Sequence, residues 1–597
     1  MALQAVDWAF IIGFFVGSLL IGLAVSKKAG KSSTEFFLSG RNMPWWLLGV
    51  SMVATTFSSD TPNLVTDIVR QNGVAGNWVW WAFLLTGMLT VFVYAKLWRR
   101  SRVLTDLEFY ELRYSGKAAA FLRGFRALYL GVFFNVLIMA TVSLAIIKIG
   151  GVMLKLSPVQ TLLIASVVTV LYSALGGLRG VLITDFFQFA IAMVGAVGAA
   201  IVAVRLPQVG GLKNLLTHPN IVSKLSLLPD FNSWDALIPL FILPLAVQWW
   251  SVWYPGAEPG GGGYIVQRML SAKSERHAVG ATLLFNVTHY ALRPWPWIMV
   301  ALCSLAVFPD LESLRAAFPN VASNVIRHDM AYPAMLTFLP TGLLGLVVAS
   351  LIAAFMSTIS THLNWGSSYV VNDFYKRFIN PKASEKKQVL AGRISTVGLM
   401  ILTGLLALLL SNALQAFQIL LQVGAGTGLL FILRWFWWRI NPYSELTAMV
   451  VSFLVAVYLQ VIHPHTGLPP LSSHLQLLIG VGITTVSWIS VTLFTSPSDK
   501  KTLRSFYQLV TPGGPGWRKV VERARQEGKP VEPKEQSWDV PQGILCMVLG
   551  CFGVYSALFA AGYWIYGKYA LASVLSVVAV VSGFFLMKMW KKLKMQN

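Results

Sequence analysis

Charge is scarce in this sequence. Asp, Glu, Lys and Arg make up 12% of its 597 residues, about half the share of a soluble globular chain. Acid is scarcer than base, with 24 Asp+Glu against 47 Lys+Arg. Ala331 to Asn372 holds no charged residue, and Gly151 to Leu178 holds only Lys155. These gaps exclude the three or four soluble domains that the length would otherwise suggest. Cysteine is nearly absent: Cys303, Cys546 and Cys551 lie singly in apolar windows, with no C-x-x-C and no Cys/His set. Neither a disulfide framework nor a zinc site is expected. Histidine is thin, and only His463 and His465 stand close together, so no acid–base or nucleophile constellation suggests an enzyme. The first 25 residues contain Asp7 and no Lys or Arg. They lack the basic start of a cleaved signal, so a retained helix is expected.

Apolar sequence fills the space. The AVILMFWYC set reaches 56%, with 22 Trp and 35 Phe, and the mean hydropathy is +0.64. A helix crossing a bilayer needs about 20 apolar residues. Windows of that kind recur at 6–25, 43–69, 78–97, 122–151, 159–176, 181–204, 235–256, 277–308, 337–371, 390–411, 413–435, 443–463, 474–495, 541–564 and 569–591. The expectation is an all-α polytopic membrane protein with about fifteen spans. The formal net charge of +23 would suggest nucleic acid in a soluble chain. Here the basic residues fall in alternate loops, such as Lys27 to Arg41, Arg99 to Arg126, Arg268 to Arg276 and Lys376 to Arg393. Lys and Arg are retained on the cytoplasmic side. That places the N-terminus outside and the C-terminus in the cytoplasm, in a cell (inner) membrane, with no nucleic-acid partner. Outer loops are expected at 205–234 and 309–336, the latter with a short helix at Leu311–Ala317. The 496–540 segment, rich in Pro and Gly with mixed charge, reads as a partly ordered linker.

The most specific stretch runs from Leu171 through Gly176, Gly177, Leu178, Arg179, Gly180, Thr184 and Asp185 to Gln188. It joins two apolar spans through a Gly-Gly turn. With Tyr264-Ile-Val-Gln-Arg-Met-Leu-Ser-Ala-Lys273 and Val371-Asn-Asp-Phe-Tyr375, it resembles the sodium:solute symporter family, over roughly residues 5–495. Gly180 stands where that family usually has Ala, Ser or Pro. The resemblance implies a LeuT-type fold, in which two inverted five-helix repeats enclose a site at the bilayer midplane and the first helix of each repeat is broken. The divisions that follow are a leading helix and loop at 1–42, repeats at 43–204 and 235–435, peripheral helices at 443–495, the 496–540 linker, and two last helices with a basic tail at 541–597. Both helices expected to be broken, 43–69 and 235–256, carry interruptions: Ser58-Ser59-Asp60-Thr61-Pro62, and Pro255-Gly256-Ala257-Glu258-Pro259 followed by Gly260 to Gly263.

The resemblance also implies sodium as coupling ion, with no organic cofactor. Sodium takes oxygen ligands. Carried onto this sequence from Trp45-Trp46, Gly49 and Ser51, and back from Asp373, the first sodium position takes carbonyls of Ala54, Phe57 and Ala354 and hydroxyls of Ser357 and Thr358. The competing expectation is that Ser and Thr merely bond the carbonyl four residues back. A second position, found in some members, maps to Asp185, Ser357, Ser360 and Thr361; alternatively Asp185 pairs with Arg179. The sugar-binding positions of the family fall on Thr56, Thr61, Trp81 and Phe417 or Gln418, so they are replaced. Asp60, Asn63 and Asp67 share one helical face, as do His289 and Arg293 at i, i+4. An arginine within a span needs an anionic partner or ligand: a solute, or Asp60 or Glu258. Trp250 and Trp253 join the expected solute site through their aromatic faces. The function expected is sodium-coupled import of a small polar organic solute (a sugar, sugar derivative, carboxylate or amino acid) by a protein working as a monomer in the lipid bilayer. The alternative is a membrane sensor or transceptor built on the same fold.

Overall fold

The computed structural model describes residues 3–29, 38–56, 58–254, 257–321, 323, 325–410, 413–531 and 538–595. Among them the chain is helical throughout, with two isolated bridges as the only extended pairing. Ten helices are long and apolar enough to cross a membrane. The other five expected spans are also helical, but they are shorter, interrupted, or include side chains outside the described ones.

In chain order, α1 is Ala5–Ala29, α2 Trp45–Thr56, α3 Asp60–Asn72, α4 Val74–Ser101, α5 Gly116–Leu154 and α6 Pro158–Arg205. Next come α7 at residues 234–251, α8 Gly263–Ser271, α9 Glu275–Val307 and α10 Leu343–Ile379. They are followed by α11 Glu385–Ala407, α12 Ala413–Val423, α13 Gly428–Leu433, α14 Pro442–His465 and α15 Ser473–Phe494. The last four are α16 Lys500–Val510, α17 Arg518–Gln526, α18 Val540–Ile565 and α19 Tyr569–Trp590. Local sequence explains several starts. Ser157 accepts from the Gln160 N–H ahead of Pro158 in a reciprocal capping box, and Asn441 does the same ahead of Pro442. Both join a side-chain cap to a proline whose missing N–H costs nothing at the first helical position.

The core helices differ in burial from the peripheral ones. In α4, α5, α9 and α10, 83% of the most apolar window is inside the protein, against 17% in α19. The former pack on helices all round, while the latter turns most of its surface outward, as a lipid-facing helix does. Buried ion pairs mark the two ends of the core. Lys148 meets Asp329 at one end, and Arg123 meets Asp373 at the other. α6 runs unbroken for 48 residues, which would span about 72 Å if straight. Its start lies against Gly150, its end against Leu343, and Asp185 between them touches Ser357. The tight Gly176–Gly177 turn expected from the sequence is absorbed without leaving helical backbone, and the side chains of 171–177 lie outside the described ones.

The 496–540 segment is more ordered than expected of a linker. α16 and α17 form a hairpin around a buried Trp517, whose indole donates to the Trp435 carbonyl at 2.8 Å. Aromatic burial rather than local propensity holds it. The short helix Leu311–Ala317 forms where the sequence placed it.

Candidate functional site

The site starts from two helices that stop inside the protein. α2 ends at Thr56 and α3 begins at Asp60. The last carbonyls of a helix lack an N–H from the next turn. Three of them are taken by side chains. Val53 O accepts from Arg293 Nη1 at 3.2 Å, Thr55 O from Thr358 Oγ1 at 3.0 Å, and Thr56 O from Thr61 Oγ1 at 3.4 Å. Ala54, on the same turn, and Ala354, Ser357 and Thr358 on α10 are all buried. Phe57 lies outside the described residues.

The second break follows α7. Between Val252 and Gly262 the chain is not helical where it is described, and Glu258 there is buried. Its start pairs with another unwound turn, between α12 and α13: Trp253 N donates to Gly424 O at 3.2 Å and Gly426 N to Ser251 O at 2.9 Å. Glycine is required there, since a Cβ on Gly424 would sit 2.1 Å from Trp253 O. After the break, α8 starts at Gly263, whose N–H donates to Asp106 at 3.0 Å. Burial pushes the Asp106 carboxyl above the usual carboxylate range.

α8 delivers a residue that sequence reasoning passed over. Arg268 is fully buried, and its Nη2 lies 3.8 Å from Asp185 Oδ2. The same guanidinium bonds Ser51 Oγ at 3.2 Å, Thr55 Oγ1 at 3.2 Å and Thr361 Oγ1 at 3.5 Å. Asp185 also accepts from Ser51 Oγ at 2.5 Å and from Ser357 Oγ, while Ser360 Oγ bonds back to Ser357 O at 3.0 Å. Thus α2, α6, α8 and α10 converge on one buried carboxylate. Its cation is Arg268, not Arg179 as the alternative had it. The signal was present, since Arg268 lies inside the Tyr264–Lys273 motif, but nothing in that motif says which carboxylate it meets.

Beside this cluster is a cavity of about 110 Å³. Thr56, Asp60, His289 and Arg293 line it together with Thr55, Thr61 and Thr358. Aromatic rings close it: Trp80, Phe83, Tyr254, Tyr264, Tyr290 and Phe417. Tyr254 stacks on Phe83 at 5.7 Å and meets Phe417 edge-on at 4.9 Å. Arg293 also lies over the Trp297 ring at 5.2 Å. His289, half-buried, packs against Trp80 and Tyr290, and its buried Nδ1 has no hydrogen-bond partner among the described residues. His362, also in the wall, was not foreseen. Its Nδ1 is 2.7 Å from Asn135 Oδ1, while Asn135 Nδ2 donates to His362 O. The amide oxygen can only accept, so Nδ1 carries the proton and Nε2 is left as an acceptor.

Five expected solute residues stand elsewhere. Trp81 is fully buried in the core between Trp78 and Phe559. Asn63, on the next face of α3, is buried away from the cavity wall. The Trp250 indole turns back to Ala246 O at 2.7 Å, and Trp253 packs edge-on against Phe134 at 4.7 Å. Gln418 is exposed, and it is its neighbour Phe417 that faces the cavity. Trp81, Asn63, Trp250 and Gln418 lie on helices and turn away from the cavity, while Trp253 lies in the unwound stretch after α7.

Residues 36–452 match the family model described as the sodium:solute symporter family. The chain belongs to the sodium:solute symporter family. Among curated members, a sodium/glucose cotransporter of Vibrio parahaemolyticus is 27% identical over 474 residues, covering 76% of this chain and 84% of that one. A sodium/myo-inositol cotransporter 2 of Oryctolagus cuniculus is 27% identical over 491 residues, covering 76% and 69%. Among solved structures, a substrate-bound, outward-open Na+-coupled sialic acid symporter superposes with a TM-score of 0.63 at 20% identity, over 83% of this chain and 99% of that one. The family's relatives are transporters rather than enzymes, and the fold is the LeuT type that the motifs implied.

Proposed function

We propose that this chain couples sodium entry to the uptake of a small polar organic solute by alternating access between its two broken helices. The observation that carries the reading is the end of α2. Its last turn meets α10 where Thr55 O accepts from Thr358 Oγ1, next to Ser357, and the aromatic cavity opens beside it. Helix carbonyls at a C-terminus carry partial negative charge and favour a cation. Ala54, Phe57, Ala354, Ser357 and Thr358 are the ligands proposed for that ion. Two of the residues expected at a second ion position, Asp185 and Thr361, already face Arg268, a cation fixed to the fold. We therefore expect sodium activation to be hyperbolic, with a Hill coefficient of one. A sigmoidal curve would restore Asp185, Ser357, Ser360 and Thr361 as a second ion site.

The solute reading rests on the cavity wall. Arg293, His289 Nδ1 and His362 supply polar contacts, and the rings supply faces for a sugar-like or carboxylate-bearing molecule. Glucose and myo-inositol, transported by the relatives named above, belong to the first panel to test. Cytoplasmic-membrane residence follows from this role. Purified protein in liposomes, given an inward sodium gradient, should accumulate one labelled solute of a panel of sugars, polyols, sialic acid and amino acids. The same gradient made with potassium should give none. Tight solute binding with no sodium-driven accumulation would instead support the sensor alternative.

A further inference from the structure

The hairpin after α15 supplies no residue to the wall of the first cavity, yet it is firmly built. Asp499 caps α16 through the Thr502 N–H at 2.8 Å and its hydroxyl at 3.0 Å. Trp517 stacks on Phe506 at 5.6 Å, and the Arg113 guanidinium covers it at 4.9 Å. Trp438 N donates to Gly516 O at 3.2 Å, tying the hairpin to the end of α13. Within the hairpin, beside Trp438, lies a second cavity of about 160 Å³.

Its wall is cationic. Lys500 and Arg504 come from α16, Lys519 and Arg523 from α17, with Trp438 and Ser498 beside them. Lys500 and Arg504 share Glu527 at 2.9 and 2.6 Å and hold its carboxyl down to about 2. Lys519 and Arg523, one turn apart, form no ion pair among the described residues. The one carboxylate in the wall, Asp499, is engaged in capping. Ser498 is nine-tenths buried, and its Oγ has no hydrogen-bond partner among the described residues. A fixed hydroxyl beside converging Lys and Arg heads is the donor set that recognises a phosphate group. Position adds to this. The wall begins just after Phe494, which is 90% exposed at the end of the lipid-facing α15, the level at which headgroups lie.

We propose that this cavity binds the phosphate of an anionic ligand, either an anionic phospholipid headgroup reaching it from the end of α15 or a soluble organophosphate. This inference is independent of the transport reading. The test uses the full chain in detergent. Binding of phosphatidylglycerol, with phosphatidylcholine as the zwitterionic comparison, is followed by native mass spectrometry. Binding of glycerol 3-phosphate is followed by calorimetry. The variant carries Lys519→Gln and Arg523→Gln, and the control is Arg518→Gln, whose side chain is 79% exposed and paired with Glu522. Phosphatidylglycerol binding that exceeds phosphatidylcholine and weakens about tenfold or more in the double variant, but not in the control, supports the lipid source. The same pattern with glycerol 3-phosphate supports the soluble source. Either affinity should fall with added salt. Ser498→Ala removes a hydroxyl without altering charge, and it should weaken the same ligand whatever the double variant does to folding. Equal binding of both probes by the unaltered chain, the double variant and Ser498→Ala overturns the proposal, as does an equal loss in Arg518→Gln.

Discussion

Ser357 links two roles. Its hydroxyl donates to Asp185, and it is one of the oxygens proposed for sodium. Ser357→Ala should raise the sodium concentration for half-maximal uptake about tenfold or more, because losing one polar partner in a buried site costs about 1–3 kcal/mol. An unchanged sodium curve would remove Ser357 from the ion site. Arg293 is the other decisive residue. It bonds Val53 O, one residue before Ala54, so it touches the turn proposed to bind sodium and the cavity at once. Lysine keeps the charge but lacks the planar fork. Arg293→Lys should therefore weaken solute and sodium affinity together, each by about fivefold or more, equal to about 1 kcal/mol. A loss confined to solute would separate the two functions. The sequence identified Arg293 as a buried cation in need of a partner. It did not identify Arg268, because an arginine in a short motif carries no mark of the carboxylate it will meet.

The decisive elements are the unwound ones. α2 and α7 stop where Ser-Ser-Asp-Thr-Pro and the Pro-Gly run interrupt the apolar pattern, and these breaks were legible because such residues disfavour continued helix. The pairing of the second break with the turn between α12 and α13 was not legible, since it joins residues more than 170 positions apart. Gly424→Ala places a methyl on the Trp253 carbonyl. It should lower the thermal midpoint of the purified protein and abolish uptake, at about 1–3 kcal/mol for overpacking. Gly404→Ala, where nothing lies within 4 Å, should change neither. Equal effects of the two would mean that the close approach does not hold the second break. Between the alternatives Phe417 and Gln418 the helix rotation decides: 3.6 residues per turn makes a one-residue difference a rotation of about 100°, enough to send Gln418 outward and Phe417 into the cavity.

For the whole molecule, orientation is the open quantity, and the basic-loop pattern predicts it. The three native cysteines are buried, so single introduced thiols can report on sidedness. In intact cells a membrane-impermeant maleimide should label Ala316→Cys, in the loop after α9, and should label Ser505→Cys, on α16, only after permeabilisation. The reverse pattern would turn the topology over. It would also place the proposed phosphate-binding cavity on the outer surface.

Composition and charge by themselves determined that this chain is helical and membrane-embedded, because a bilayer admits only backbone whose polar groups are satisfied within the segment and demands long uncharged windows to do it. Short motifs determined the family, since Gly-Gly, Thr-Asp and the paired breaks sit at fixed spacing along one chain. Tertiary structure alone decided which charges meet: Asp185 with Arg268 rather than Arg179, and Lys148 with Asp329. These pairings depend on how helices distant in sequence rotate and cross. In the low dielectric of the interior, such a choice is enforced by the several kcal/mol that an unpaired buried charge would cost, a penalty that exists only once the helices have packed.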